Sequence, residues 1–312
     1  MMEYVVLPKS DLKVSRLGFG CCPMGGHGWG EVVADDFKKA VGAALNNGVN
    51  LFDTADIYGL GESEVLLGKF LKGHRHEAVI ATKFGVRRDN QGHTFYDNSP
   101  SWIGQALEGS LQRLAVECID LYQVHYLDHK TPLFDVIQTL EKKRQEGKIR
   151  YFGLSNITLD NMDRQGLPEA VVSFQAEYSL ANRLHEKEIR EIQQSKELGF
   201  FSWGSLGQGI LSGKYGAQTQ FGKNDRRSRR EYANFHGEKY QKNLIMLEQI
   251  RKKFQSIGKN PSQIAIRWIL DHLEGSVALV GIKREQQILE NIQAFGWRLS
   301  DKELKFLDTI SL

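Results

Sequence analysis

Ala78-Val79-Ile80-Ala81-Thr82-Lys83, then the segment Pro100 to Leu114 (PSWIGQALEGSLQRL), then Ile119-Asp120-Leu121-Tyr122-Gln123-Val124-His125 decide the fold of this chain. The first and third pieces are short apolar runs of strand length. The middle one repeats Ile103, Ala106, Leu107, Leu111 and Leu114 at three- and four-residue spacing, the stripe of an amphipathic helix. Strand, helix and strand in this order predict a parallel crossover unit.

Outward from it the pattern recurs along almost the whole chain. Strands are expected at Leu17-Gly18-Phe19-Gly20, 50–54, 151–155, 171–177, 200–203 and 277–282, and helices at 35–47, 63–71, 131–145, 184–198 and 284–294. About eight βα units in one series favour an α/β fold closed into a (β/α)8 TIM barrel over an open doubly wound sheet, which would show a similar period. Before the first unit, 4–7 and 13–16 form an N-terminal β-hairpin able to plug one barrel end. The repeat is broken by the polar stretch 216–236 and by an extra helix at 240–257 ahead of the helix 261–272, and 300–310 closes the chain with another helix. No linker composition interrupts 1–312, which predicts one domain.

Composition narrows the function. The chain has 312 residues, 41 Lys and Arg against 38 Asp and Glu, and a net charge of +3. That balance excludes a partner as demanding of positive charge as a nucleic-acid backbone. The one basic run, Arg226, Arg227, Arg229 and Arg230, is short. Three cysteines, two of them adjacent at Cys21 and Cys22, cannot build a disulfide framework, so a cytoplasmic location is expected. The start Met1-Met2-Glu3-Tyr4 lacks a signal-peptide pattern, and no apolar run approaches the roughly 20 residues of a membrane span, so no membrane partner is expected.

In parallel barrels the loops after the strands converge at their carboxyl ends, where active sites form. Asp53, Lys83 and His125 stand at such ends, with Tyr58 in the loop after Asp53. Singly, each has a plain structural explanation: a loop brace, a buried ion pair, a satisfied core histidine, a turn aromatic. Together they make a proton-transfer set, in which Lys83 tunes the Tyr58 phenol down from its ordinary value near 10, Asp53 keeps Lys83 charged and oriented, and His125 donates to a substrate oxygen. Proton transfer to a developing alkoxide is a role worth about 10²- to 10⁴-fold. His27 with Cys21 and Cys22 has poor spacing for a metal and no fourth ligand, so no metal is expected.

The segment Asn50-Leu51-Phe52-Asp53-Thr54-Ala55-Asp56-Ile57-Tyr58-Gly59, followed by Gly61-Glu62-Ser63-Glu64 and Leu67-Gly68, resembles the signature of the aldo-keto reductases. The likeness continues through 80–83, 120–125, 153–156 and 175–179, and spans roughly Leu17 to Asn291. In that family these positions imply Tyr58 as general acid, Lys83 and Asp53 as the pair that lowers its pKa, and His125 as the donor orienting the carbonyl. The family also implies NADP(H) extended across the barrel mouth, and the reversible reduction of an aldehyde or ketone to an alcohol.

The resemblance assigns cofactor positions as well. Ser155, Asn156 and Gln175 would hold the nicotinamide carboxamide, and Trp203 would stack on the ring. Gly20 lies at the first strand's end, and Gly204, Ser205, Leu206, Gly207 and Lys214 would follow the pyrophosphate. Gly204-Ser205 stands where the family commonly has Ser-Pro, which predicts a looser turn. Gly281, Lys283, Arg284, Gln287, Glu290 and Asn291 resemble the adenosine 2′-phosphate site, and basic residues at a helix start favour NADP(H) over NAD(H). The glycines between Gly18 and Gly30 lack the GxGxxG spacing of a Rossmann unit. Arg229 is the arginine of 224–235 expected to reach a phosphate. Met24, Trp29, Phe84 and Tyr126, with Cys21 and His27, are expected to line a pocket for a small carbonyl or alcohol substrate, in a chain expected to be monomeric.

Two other readings stay open. A Schiff-base aldolase would use a neutral Lys83 as nucleophile, which Asp53 opposes. The family also contains cytoplasmic potassium-channel subunits that keep the tetrad and bind NADP(H) tightly, so a slow sensor or partner subunit is the alternative to a free enzyme.

Overall fold

The computed structural model describes residues 1–26, 28–30, 32–163 and 167–311. Strands β1 (Tyr4–Val6) and β2 (Lys13–Ser15) pair antiparallel with Val5 opposite Val14. Leu7, Leu12 and Val14 of this hairpin are buried with Leu51, Ala81, Leu121, Val172, Phe201 and Val277, the inward residues near the amino ends of the barrel strands. The hairpin therefore plugs the barrel at the end away from the expected site.

Strands β3 (Leu17–Gly20), β4 (Leu51–Asp53) and β5 (Val79–Phe84) are followed by a small antiparallel hairpin, β6 (Val86–Arg88) with β7 (Thr94–Tyr96). Then come β8 (Ile119–Val124), β9 (Ile149–Ser155), β10 (Val171–Glu177), β11 (Gly199–Trp203) and β12 (Val277–Gly281). Parallel pairing of β12 with β3, Val280 opposite Phe19, closes the ring in the order β10-β11-β12-β3-β4-β5-β8-β9. Side chains alternate along a strand, so Phe19, Phe52, Ile80, Tyr122, Phe152, Phe174 and Phe200 point outward into the main core beneath the helices.

The helical layer is α1 (Ala34–Asn46), α2 (Glu62–Phe70), α3 (Pro100–Leu114), α4 (Leu133–Gln145), α5 (Leu159–Asp163) and α6 (Glu186–Lys196). It continues with α7 (Gly237–Phe254), α8 (Pro261–His272), α9 (Glu285–Ile292) and α10 (Asp301–Ile310). Local chemistry fixes several starts. Pro100 opens α3 while the Ser99 hydroxyl accepts from Trp102 N at 3.3 Å. At α8, Asn260 Oδ1 accepts from Gln263 N and Gln263 Oε1 from Asn260 N, each at 3.0 Å, a reciprocal capping box. None of the described helices is long and apolar enough to cross a membrane.

Two elements have no counterpart among the strands and helices expected from the sequence. Gly85 to Ser99 folds into β6 and β7, closed by Asp89 Oδ1 accepting from Gln91 N and His93 N at 2.9 and 2.8 Å. The single turn α5 is too short for an apolar period to register.

Candidate active site

The alternation that places Leu51, Ala81 and Leu121 in the plugged end places Asp53, Lys83 and Gln123 one layer higher, inside the open end. Lys83 Nζ donates to Asp53 Oδ1 at 2.5 Å and to the Thr54 carbonyl at 2.9 Å, and the paired side chains are only 2% and 6% exposed. Asp53 Oδ2 accepts from Gln175 Nε2 at 2.7 Å and from Gln123 Nε2 at 3.3 Å. The buried carboxylate is thus held by a cation and two amides. With Lys83 Nζ engaged by two acceptors, the nitrogen is not free to attack a carbonyl as Schiff-base chemistry requires.

Tyr58 reaches this pair from the loop after β4. That loop lies against the backbone of the first loop so closely that a Cβ on Gly25 would stand 2.5 Å from Gly59 N, and Gly59 itself adopts φ +65°. Only glycines permit the approach. The half-buried Tyr58 ring centroid is 5.3 Å from Lys83 Nζ and 5.8 Å from the His125 ring, which it meets at 83°. The structure therefore brings all four expected side chains together.

The expected lowering of the phenol is not found. Burial pushes Tyr58 well above its ordinary value, and Cys22 and the Asp53 carboxylate add to the push. Burial is the largest cause, and no cation offsets it, since the Lys83 ammonium is engaged by the Asp53 carboxylate. Burial acts oppositely on His125, which is held well below its ordinary value, with Lys83 adding to the effect. At neutral pH the set is a protonated phenol beside a neutral imidazole.

Around this centre, Trp203 at the end of β11 donates from Nε1 to Asn156 Oδ1 at 3.0 Å. Asn156 Nδ2 in turn donates to the His125 carbonyl and to Ser155 Oγ, each at 3.0 Å. Asn156 sits at φ +54°, a conformation that asparagine tolerates better than most side chains. Its side chain is thus engaged in positioning Trp203, while the Gln175 side-chain oxygen accepts no hydrogen bond from a described residue.

The Gly204-Ser205 turn is not loose. Gly204 takes φ +66°, and the buried Ser205 hydroxyl donates to the Leu279 carbonyl at 2.9 Å and lies 2.8 Å from the Ser202 hydroxyl. A side-chain tether to β12 does the work of the missing proline. Leu206 and Gly207 lead into a 3-10 turn, Gly207–Ser212.

Across the mouth, Gly20 and Gly281 are paired neighbours at the ends of β3 and β12. Gln287 Oε1 accepts from Lys283 N and Arg284 N at 2.8 and 3.2 Å, fixing the start of α9. Glu290 binds Gln263 Nε2 through its carbonyl at 3.0 Å, and Asn291 is buried. Lys283 Nζ donates to the Trp29 carbonyl, and its ammonium is pushed down by burial and then by Arg227, Lys214 and Arg284. Cations have been gathered here beyond what the nearby Asp225 balances, which is the donor set a polyphosphate requires. Arg229, the arginine expected to contribute, is exposed; Arg227 is the inward one, bonded to Asp225 Oδ2 at 2.5 Å and packed on the rings of Tyr215, Phe221 and Phe235.

Of the expected pocket walls, Trp29 and Tyr126 are half-buried at the mouth. Met24 and Phe84 belong to the main core, 1% and 0% exposed, and Phe84 stacks on Tyr122 at 4.8 Å, so packing accounts for them. His27 lies outside the described residues. Sequence reasoning overlooked Gln123 and Arg227: the inward period of β8 signalled the first, whereas nothing within 226–230 distinguishes one arginine from the next.

Comparison with known proteins agrees with this geometry. The model of the Aldo/keto reductase family matches residues 16–311. The chain is 30% identical over 312 residues to aldo-keto reductase YhdN of Bacillus subtilis, covering 99% of this chain and 93% of that protein. It is 32% identical over 299 residues to aldo-keto reductase yakc [NADP(+)] of Schizosaccharomyces pombe, covering 94% and 87%. Among solved structures, the glycerol dehydrogenase AKR11B4 from Gluconobacter oxydans superposes with a TM-score of 0.89 at 34% identity, covering 98% and 94% of the two chains. The chain belongs to the aldo/keto reductase family and is an enzyme of that class.

Proposed function

We propose that the protein reduces an aldehyde or ketone reversibly to its alcohol with NADP(H), and that Tyr58 is the proton donor. The observation that carries this reading is the half-buried Tyr58 phenol, kept protonated by burial, set at right angles to a neutral His125 above the Lys83–Asp53 pair. A carbonyl oxygen between Tyr58 and His125 would meet two neutral donors as negative charge develops on it. Lys83 would stabilise the phenolate left behind, with Asp53 holding the ammonium in place.

The dinucleotide, when bound, supplies hydride to the carbonyl carbon. For its phosphates the chain offers Lys214, Arg227, Lys283 and Arg284, for its adenosine Gln287, Glu290 and Asn291, and for its nicotinamide the face of Trp203 together with Ser155 and Gln175. The gathered cations at the start of α9 support this fit and favour the 2′-phosphorylated form. The span 1–312 works as one barrel domain, and its free thiols suit a reducing compartment such as the cytoplasm.

The test is the loss of NADPH absorbance with reactive aldehydes in native protein and Tyr58→Phe. The variant should lose about 10²-fold or more in kcat while NADPH still quenches tryptophan fluorescence. Equal turnover in both proteins would remove Tyr58 from the chemistry.

A further inference from the structure

His125 is tied down through its backbone. Its N–H donates to the Phe84 carbonyl at 2.9 Å, and its carbonyl accepts from Asn156 Nδ2 at 3.0 Å. The ring has no such tether: Nδ1 is buried without a hydrogen-bond partner, and no described residue binds Nε2. An imidazole that presents one nitrogen to a reacting atom is ordinarily oriented by a hydrogen bond at the other. Here that orienting falls to ring packing.

The packing is a stack. The Tyr126 ring lies against His125 with centroids 5.2 Å and planes 21° apart, and Tyr96 of β7 lies against Tyr126 in turn at 5.2 Å and 27°. Both separations fall in the range that aromatic pairs prefer. Tyr96 is 43% exposed, yet the hairpin that carries it is clamped. Asn98 N donates to Asp128 Oδ2 at 2.8 Å and Asp128 N donates to Asn98 Oδ1 at 2.7 Å, a reciprocal pair that joins the end of the hairpin to the loop carrying Tyr126. Arg87 of β6 donates to Asp97 Oδ2 at 2.6 Å, and its guanidinium carbon lies 3.8 Å from the centre of the Trp102 ring on α3. A surface hairpin is thus braced, through two tyrosine rings, against the imidazole at the reacting centre.

We propose that Tyr126, backed by Tyr96 of the β6–β7 hairpin, is a positioning residue for His125, holding the imidazole by ring stacking in the orientation that presents Nε2 to the carbonyl oxygen. The inference rests on the reductase reading above. A neutral ring carries one proton, and with Nδ1 buried and unpaired that proton belongs on Nε2, because a buried N–H without an acceptor is less tolerable than a bare lone pair. A ring free to turn would carry this donor away from the oxygen. The stack also excludes water. Burial is what depresses the imidazole, and Tyr126 is one wall of it, while Tyr58 and Lys83 are the other titratable groups that face the ring. Removing the wall lets the imidazole climb back towards its ordinary value, incompletely because Lys83 stays in place.

The test follows NADPH oxidation in single turnovers, so that product release does not mask the chemical step, in native protein, Tyr126→Phe, Tyr126→Leu, Tyr96→Phe and Tyr96→Leu. The phenylalanine variants keep the stack and should stay within about twofold of native, whereas at saturating aldehyde the rate should fall about tenfold in Tyr126→Leu and about threefold in Tyr96→Leu, with the half-saturating aldehyde concentration unchanged. Nitrogen-15 NMR of the imidazoles, with the His125 signals assigned by their loss in His125→Gln, should show that ring titrating about one pH unit or more higher in Tyr126→Leu than in native protein, a readout that needs no turnover. Tyr96→Leu alters an exposed side chain and carries both measurements if Tyr126→Leu does not fold. Equal losses in the phenylalanine and leucine variants, losses confined to the half-saturating concentration, or a His125 titration unmoved by either leucine change overturns the positioning role and leaves Tyr126 as a pocket wall. Absence of turnover in every protein, with the His125 titration still raised in a leucine variant, would instead refute the reductase reading and leave the stack standing.

Discussion

Asp53→Asn separates charge from shape at the centre of the site. The substitution keeps the side chain's size, but Lys83, 2% exposed, loses its only carboxylate partner among the described residues. If the new amide turns its oxygen to Lys83 Nζ, its NH₂ faces Gln175 Nε2, which now donates to Asp53 Oδ2 at 2.7 Å. If it turns the other way, Lys83 retains the Thr54 carbonyl at 2.9 Å as its one acceptor. Either orientation orphans a buried donor, about 1–3 kcal/mol, and leaves a buried charge uncompensated, so the total should be about 3–5 kcal/mol. Urea unfolding followed by tryptophan fluorescence should show the midpoint falling at unchanged m. The double variant Asp53→Asn/Lys83→Met removes the stranded charge and should be more stable than the sum of the single changes by about 2 kcal/mol. A loss within about 0.5 kcal/mol for Asp53→Asn, or strict additivity in the double variant, would refute the account of the pair as a mutually dependent buried unit.

Other outcomes follow from the same structure. With His125 held below its ordinary value and Tyr58 above its own, kcat/KM for reduction should be flat between about pH 6 and 9; a protonation limb inside that window would contradict both directions. Asp56 is pushed from 3.8 up to about 8, by burial first and then by Glu64, and its Oδ1 has no hydrogen-bond partner among the described residues. Its folded value exceeds its unfolded one, so its contribution to stability declines as pH rises from about 4 to about 8. Asp56→Asn should therefore raise stability by about 1 kcal/mol or more at pH 7 and by less at pH 4, as read from paired thermal melts. Gly204→Ala would force a Cβ to 3.1 Å from Gln208 Nε2 at φ +66°, and should cost about 1–2 kcal/mol in a thermal melt; a neutral result would mean that the turn has slack.

The apolar periods and the long motif through Asp53 and Tyr58 were sufficient for the barrel, its plug and the four central residues, because period and spacing are one-dimensional quantities. Strand length and alternation place Lys83 inward whatever the loops do. Three other matters depended on which groups meet across the chain. The sign of the Tyr58 shift came from burial, with Cys22 and the Asp53 carboxylate adding to it, an environment assembled from loops and strands apart in sequence. The choice of Arg227 over Arg229 came from a ring cluster of Tyr215, Phe221 and Phe235 that packs only one guanidinium. The firmness of Gly204-Ser205 came from the Leu279 carbonyl on a neighbouring strand. Sequence by itself determined the fold and the list of groups at the strand ends, since backbone geometry repeats locally; the tertiary structure decided their charges, their partners and which of them face open space, since burial and Coulomb interactions act through space between residues far apart in the chain.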